Sequence, residues 1–286
     1  MKQPKYDARM YWRVSSYCNL FCEYCISKKS VLHNGTAPGI DVPAVIKTLD
    51  STGKTFLFSF GGAEPFLVPN FVELCIELTK KHYIFLITNL TSEKIKEFSE
   101  KADPTKVEHI IASLHIKALE KTGLTNSYID NFLLLKERGF HIAASEVAYP
   151  AYIDKIDEFK SFFKNRGIDC IFEPYVGTYD SKIYPEAYTP EEITKFGIRV
   201  AIENENPYQK GQLCNAGYNI LVTDQTGRIS KCPKITEYHG HIYKEMLFDK
   251  KLTRCPLDRC TCPLSKSNKH LLDRAIQEME EKEKAG

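Results

Sequence analysis

The sequence contains no stretch of about 18 consecutive apolar residues, the length a membrane-spanning helix requires, so no transmembrane segment is expected. It also lacks a charge imbalance: 39 Lys and Arg against 37 Asp and Glu leave a formal net charge of +2. That balance gives no basis for binding nucleic acid or an anionic membrane. No internal repeat or low-complexity linker interrupts the chain. Met1–Met10 is polar and basic and no apolar stretch follows it, so a secretory signal is not expected and a cytoplasmic location is. A hydrophobic content of 43% and a charged content of 27% are those of a soluble globular protein. The 286 residues suffice for one substantial core, with room for a second small one.

What the chain has in abundance is cysteine, ten in all. In a reducing compartment so many cysteines point to metal ligands or catalytic groups before disulfides. They are unevenly placed. Cys18, Cys22 and Cys25 fall together near the N-terminus, and Cys214, Cys232, Cys255, Cys260 and Cys262 fall together late in the chain. Cys75 and Cys170 stand alone in apolar segments, where a small buried hydrophobe is the natural reading. Two metal sites, far apart in sequence, are therefore expected.

Between them, short apolar runs alternate with amphipathic stretches. Strands are expected at Met10–Ser15, Thr55–Phe60, Tyr83–Thr88, Val107–His115, His141–Ala148 and Asp169–Tyr175. Helices are expected at Val42–Ser51, Pro69–Lys81, Ser92–Lys101, Asn126–Arg138 and Tyr152–Asn165. Asp41 and Ser92 are in place as N-caps, and Gly139 and Gly167 as C-terminal stops. This order describes a parallel sheet with helices outside it. Six repeats are too few for a closed eight-fold barrel, so the expected fold is α/β, an open, partial (β/α)6 barrel. Ligands in such sheets gather at the carboxyl ends of the strands. The barrel is expected over residues 1–176 and a connecting segment over 177–213. The cysteine-rich remainder, 214–286, is expected as a small β-hairpin and helix domain. Within it, Tyr218–Thr223, the turn Asp224–Gly227 and Arg228–Lys231 read as a hairpin. A short helix is expected near Pro190–Ile202, and His270–Ala285 as a charged helix whose run Glu278–Lys284 is solvated.

Cys18-x3-Cys22-x2-Cys25 directly follows the first strand. A loop of this length can turn three thiolates toward one face of a cubane, leaving one iron open, as a catalytic metal requires. Zinc in a closed structural site would need a fourth ligand, and no other Cys or His occurs before His33. The spacing, with Tyr24 just before the last cysteine, resembles the signature of the radical S-adenosylmethionine (SAM) superfamily. The resemblance implies a [4Fe–4S] cluster whose open iron binds the amino and carboxylate groups of SAM. It also implies reductive cleavage of SAM to a 5′-deoxyadenosyl radical, and a place for Tyr24 against the adenine. Gly61-Gly62-Ala63-Glu64-Pro65 is similar to the family's Gly-Gly-Glu-Pro motif for the SAM amino group, with Ala63 inserted. Asn89 and Ser113, at the ends of the third and fourth strands, resemble family positions near SAM or substrate. Glu146 and Glu173 close the fifth and sixth strands. A carboxylate there can hold a substrate hydroxyl or amine or accept a proton, or be an ordinary polar residue at a strand end.

Cys214, followed by the hairpin and Gly227-x4-Cys232, resembles the start of the SPASM and Twitch extensions, which bind auxiliary [4Fe–4S] clusters. Five late cysteines fit the shorter, one-cluster Twitch form. Cys214, Cys232 and Cys260 are the expected ligands, with Cys255 or Cys262 as the fourth; a zinc ribbon uses the same ligand set. An auxiliary cluster accepting an electron would make the reaction an oxidation or a cross-link. A cysteine returning hydrogen would make it an epimerisation, and a non-catalytic zinc scaffold is the reading from another class. The first strand begins near residue 10, without a preceding peptide-recognition domain. This favours a small-molecule substrate, or a peptide delivered by another protein, with flavodoxin or ferredoxin as electron donor.

Overall fold

The computed structural model describes residues 5–200, 209–258, 260 and 269–285. Six strands, β1 (Ala8–Trp12), β2 (Phe56–Phe60), β3 (Tyr83–Thr88), β4 (Val107–Ser113), β5 (Ile142–Ala148) and β6 (Cys170–Pro174), lie parallel and in sequence order. Helices α1 (Val42–Ser51), α2 (Phe71–Thr79), α3 (Lys94–Lys101), α4 (Ile116–Thr122), α5 (Thr125–Glu137) and α6 (Ile156–Lys164) fill the crossovers. This is the expected α/β architecture with a parallel core.

Strand side chains alternate between faces, and the two faces differ. Met10, Trp12, Phe58, Phe60, Leu86, Ile110 and Ala144 are buried beneath the helices. There Phe60 meets Phe71 at 5.1 Å between ring centroids, and the Tyr128 hydroxyl donates to the Ala112 carbonyl at 3.0 Å. The opposite, inner face carries Tyr11, Ser59 and Phe85 in one register row, Ser113 and Ser145 in another, and Val147 beside Glu173. Its residues are mostly half-buried.

Local chemistry explains where the elements begin and end. Asp41 caps α1 by accepting from the Ala44 N–H at 3.1 Å, as expected. The cap of α3 is Glu93 rather than Ser92, whose hydroxyl accepts from the Lys94 N–H at 3.3 Å. The fourth strand stops at Ser113, short of His115, because His115 adopts a left-handed φ of 45° and starts α4, a helix absent from the sequence reading. The short helix α7 (Pro190–Phe196) ends well before Ile202, where Gly197 takes a φ of 73°.

After β6 come a small hairpin, β7 (Gly177–Tyr179) with β8 (Lys182–Tyr184), and β9 (Leu213–Cys214). The expected late hairpin forms between β10 (Ile220–Thr223) and β11 (Arg228–Ser230), and it extends the main sheet. β10 pairs in parallel with β1, Arg9 opposite Ile220 and Trp12 opposite Thr223. β12 (Tyr238–His241) and β13 (Glu245–Met246) continue it to ten strands, while β14 (Thr253–Arg254) pairs with β9.

The last helix, α8 (Lys269–Ala285), closes the amino end of the inner face. Leu271 and Ala275 are fully buried, Leu271 against Tyr6 and Leu57. Arg274 reaches Asp7 at 2.9 Å, and Asn219 Nδ2 donates to the Leu271 carbonyl at 3.0 Å. Glu278, first of the charged run, accepts from the Tyr218 hydroxyl at 2.9 Å and is therefore engaged rather than solvated. Leu271→Ala should destabilise the protein by about 3 kcal/mol, through lost burial plus a residual cavity. A urea titration that left the midpoint unmoved would show that α8 is not held by this contact.

Candidate metal centres

The loop after β1 is pinned at its base. The Cys18 N–H donates to the Leu32 carbonyl at 3.0 Å, the Leu32 N–H to the Ser16 carbonyl at 2.7 Å, and the Glu64 N–H to the Tyr17 carbonyl at 2.9 Å. Between these ties Cys18, Cys22 and Cys25 project as partly buried free thiols. Burial pushes the Cys18 thiol up to about 11, offset by a backbone hydrogen bond at Leu20 and reinforced by the nearby Glu64 and Cys25. Burial also pushes Cys22 up strongly, with Cys18, Cys25 and Glu146 adding to it. The raised Cys18 and Cys22 thiols give up their protons when a cationic group takes them as ligands, which an iron–sulfur cluster does. Among the described residues no three His, Cys, Asp or Glu side chains converge on the space of a single ion. A cubane asks for a wider set, since each thiolate binds a different iron. His33 is turned away by its own contacts, with Nδ1 2.9 Å from the Cys18 carbonyl and its ring stacked on Phe21.

The glycine-rich segment lies beside this loop. A Cβ on Gly61 would stand 3.3 Å from both Ile87 Cδ1 and the Tyr11 hydroxyl, so the backbone borders the inner face directly. Gly62 and Ala63 both have left-handed φ, 75° and 47°. Glu64 is 1% exposed, and its carboxylate accepts from the Asn89 N–H at 2.7 Å, the Thr88 hydroxyl at 2.8 Å and the Phe66 N–H at 3.0 Å. Burial raises its carboxyl to about 7 against these three hydrogen bonds. Glu64 thus clamps the end of β3 to the glycine loop. Asn89 carries the clamp to the cysteine loop, Nδ2 donating to Asn19 Oδ1 at 2.9 Å and lying 3.9 Å from Cys18 Sγ.

Arg13 was missing from the candidate residues. Its Nη2 donates to Ser30 Oγ at 3.1 Å, while its Nε is buried without a partner among the described residues. Its aliphatic stem faces Gly62. The signal was available: Arg9, Tyr11 and Arg13 follow the two-residue period that places them on one face of the first strand.

Tyr24 is buried, and its hydroxyl donates to Glu146 Oε1 at 2.5 Å and lies 3.1 Å from His115 Nδ1. Tyr149 and Tyr152 pack around its ring at 5.4 and 6.1 Å. Glu146 also accepts from the Ile116 N–H at 2.7 Å and the Val147 N–H at 2.8 Å. It sits on the helix side of β5 and is 1% exposed, so its oxygens are committed to protein donors. Burial raises its carboxyl to about 7, opposed by these hydrogen bonds. Glu173, in contrast, is exposed and shares the inner-face row of Val147, and Ser113 stands on that face beside Ser145. A cavity of about 610 Å³ lies on the same face, lined by Arg9, Tyr11, Ser59, Ile87, His109 and His141 among others. Its Tyr11 and Ile87 are the side chains that touch Gly61.

Four of the late cysteines come together. Pairing of β9 with β14 brings Cys214 level with Thr253, next to Cys255. The β10–β11 hairpin returns the chain so that Cys232 stands near Ile220. Cys214, Cys232, Cys255 and Cys260 line one cavity of about 260 Å³. Burial raises the Cys214 thiol, and Cys255, Cys260 and Cys232 each add to the rise. Cys262 lies outside the described residues. Because Ile220 pairs with Arg9, this cavity is at the amino end of the sheet, opposite the Cys18 loop.

No curated protein matches the chain. Several solved structures share its fold. Native anSMEcpe with bound AdoMet and Cp18Cys peptide is 19% identical over 83% of this chain and 78% of that one, with a TM-score of 0.51. Streptococcus suis SuiB bound to S-adenosylmethionine is 15% identical over 83% of this chain and 64% of that one, with a TM-score of 0.55. SuiB bound to precursor peptide SuiA is 16% identical over 86% and 65%, with a TM-score of 0.52. The family described as the radical SAM superfamily matches residues 12–162, more than half of the 286-residue chain. The protein therefore belongs to the radical SAM superfamily, whose chemistry rests on a [4Fe–4S] cluster and SAM.

Proposed function

We propose that the protein is a radical SAM oxidoreductase that acts on a peptide and uses a second, auxiliary [4Fe–4S] cluster as electron acceptor. The observation that carries the first half is the trio Cys18, Cys22 and Cys25 on a pinned loop beside Gly61–Glu64. These cysteines hold the SAM-binding cluster. When bound, cluster and SAM supply a 5′-deoxyadenosyl radical, which takes a hydrogen atom from a substrate C–H bond.

The remaining work falls to the chain's own side chains. The Gly62 and Ala63 carbonyls are the acceptors for the SAM ammonium, with Glu64 holding that loop rather than meeting the ligand. Arg13 offers its unpartnered Nε–H to an acidic group at the carboxyl end of β1. Glu146 holds Tyr24 in the adenine position, and Asn89 ties β3 to the cysteine loop. The substrate occupies the inner face near Ser113, where Glu173 is placed to take the proton released on oxidation. Peptide is favoured over a small molecule because the SuiB and anSMEcpe structures include bound peptides. Cys214, Cys232, Cys255 and Cys260 hold the auxiliary cluster. Flavodoxin or ferredoxin is the proposed source of the initiating electron.

The test is anaerobic reconstitution with iron and sulfide, dithionite reduction and chromatography of the products. Methionine and 5′-deoxyadenosine are expected in equal amounts. S-adenosylhomocysteine as the sole product would overturn the reading in favour of ordinary methyl transfer.

A further inference from the structure

The loop that carries Cys18, Cys22 and Cys25 exposes large apolar side chains to solvent. Ile26, directly after Cys25, is 90% exposed, more than any other large apolar side chain among the described residues. Phe21, directly before Cys22, is 59% exposed, and Leu32 is 48% exposed. Local contacts fix all three segments. The Phe21 ring stacks on His33 at 3.8 Å between centroids, and His33 Nδ1 lies 2.9 Å from the Cys18 carbonyl. Leu32 is held through both its N–H and its carbonyl. Ile26 follows and precedes tight turns, in which the Cys25 N–H donates to the Cys22 carbonyl at 3.3 Å and the Lys28 N–H to the Cys25 carbonyl at 3.1 Å. Single exposed apolar residues are ordinary, but several held in place on one loop mark an interaction surface.

The charge around this loop is positive. From Cys18 to Ile40 the only carboxylate is Glu23, against Lys28 and Lys29, both exposed. Glu23 also borders an open cavity of about 660 Å³ whose other charged walls are Lys117, Glu120, Lys121 and Lys155. Lys117 engages Glu120 at 2.7 Å, which leaves Lys121 and Lys155 exposed beside the loop. The chain as a whole is nearly neutral, so this excess is local. An acidic protein surface with an apolar centre complements both features.

We propose that the exposed surface of this loop is the docking site of an acidic one-electron carrier protein. The proposal rests on the reading that Cys18, Cys22 and Cys25 hold the SAM-binding cluster. Phe21 and Ile26 are each one residue, about 3.8 Å along the chain, from a cysteine of that trio. A carrier seated on them is therefore as close to the thiols as the chain allows, and electron transfer weakens steeply with distance. In the step itself one electron leaves the carrier's reduced group and enters the oxidised cluster. No bond is made or broken, and no proton moves. Such encounters are small and short-lived, which suits a patch the size of one loop, with lysines to steer the approach.

The test compares two electron sources on the reconstituted protein: dithionite, and flavodoxin kept reduced by NADPH and its reductase. SAM cleavage is followed with each, and calorimetry on the same samples gives the affinity for oxidised flavodoxin. Ile26→Asp, and Lys28→Glu combined with Lys29→Glu, should each lower the flavodoxin-driven rate and the affinity about tenfold at low salt. The dithionite-driven rate should stay at the wild-type value. Added salt should slow the flavodoxin-driven reaction of the wild-type protein and affect the lysine variant less. Lys155→Glu, outside the cysteine loop, carries the test if a loop variant loads less iron, and should weaken flavodoxin binding in the same direction. Flavodoxin that does not bind the wild-type protein, or that binds fully loaded variants equally well, overturns the docking site. A wild-type dimer that Ile26→Asp converts to monomer in the ultracentrifuge overturns it in favour of a second copy of this chain. Absence of SAM cleavage with dithionite in the iron-loaded wild-type protein overturns the cluster reading, and the proposal with it.

Discussion

Cys22→Ala is expected to reduce 5′-deoxyadenosine formation to background while leaving the protein folded. Cys22 is the middle one of the three proposed ligands, and two thiolates cannot hold a cubane with one iron left open for SAM. The loop does not depend on this side chain for its shape, because its base is tied by the Cys18, Leu32 and Glu64 amides. Burial and its neighbours hold Cys22 as a neutral thiol in the apo-protein, so its replacement removes no charge from the fold. Iron after reconstitution should fall from about eight per chain to about four, one cubane remaining. Circular dichroism, iron analysis and product chromatography on one preparation decide the matter. Undiminished SAM cleavage by the folded variant would remove Cys22 from the ligand set.

Cys232→Ala should do the reverse, keeping SAM cleavage and stopping formation of oxidised product. Cys232 lies near Ile220, at the amino end of the sheet, and contributes nothing to the loop after β1. The late cysteines stand at the amino end of the sheet, opposite the Cys18 loop. Losing the acceptor strands the substrate radical without touching its formation. The four cysteines also join β9, β11 and the segment after β14, so the variant should melt earlier. Folded, SAM-cleaving protein that still gives full oxidised product would refute the acceptor role. An epimer carrying solvent deuterium would assign the reaction to hydrogen return instead.

All six parallel strands were readable from the sequence, because strands buried under helices are near-continuous apolar runs such as Phe56–Phe60. Helix α1 was readable to the residue, since Asp41 and Pro43 mark its start. What escaped was non-local. Nothing in Ile220–Thr223 announces that its partner is Ala8–Trp12, because parallel pairing leaves no turn signal between the strands. The left-handed turn at His115 was invisible because it is imposed by the helix start and the Glu146 carboxylate bonding Ile116. The cysteine spacings set Cys18, Cys22 and Cys25 apart from the late cysteines, but nothing in them announced that Glu64 and Glu146 would be buried struts. A carboxylate at a strand end looks the same in sequence whether it faces a ligand or three backbone and hydroxyl donors.

The parallel union of β1 with β10 bears on how the chain acquires its structure. Trp12 Nε1 donates to the Asp224 carbonyl across 212 positions of sequence. Strand β1 therefore cannot be flanked on both sides until the late cysteine region has been synthesised. Until then β1 is a bare edge bearing Met10 and Trp12, open to pairing with another chain. A fragment ending at residue 176 would keep that edge permanently, and lose Leu271 from the floor of the inner face. It should associate with itself rather than behave as an independent barrel. The segment that carries the auxiliary cysteines is in this sense the fold's own intramolecular chaperone, occupying the one strand edge that the barrel exposes first.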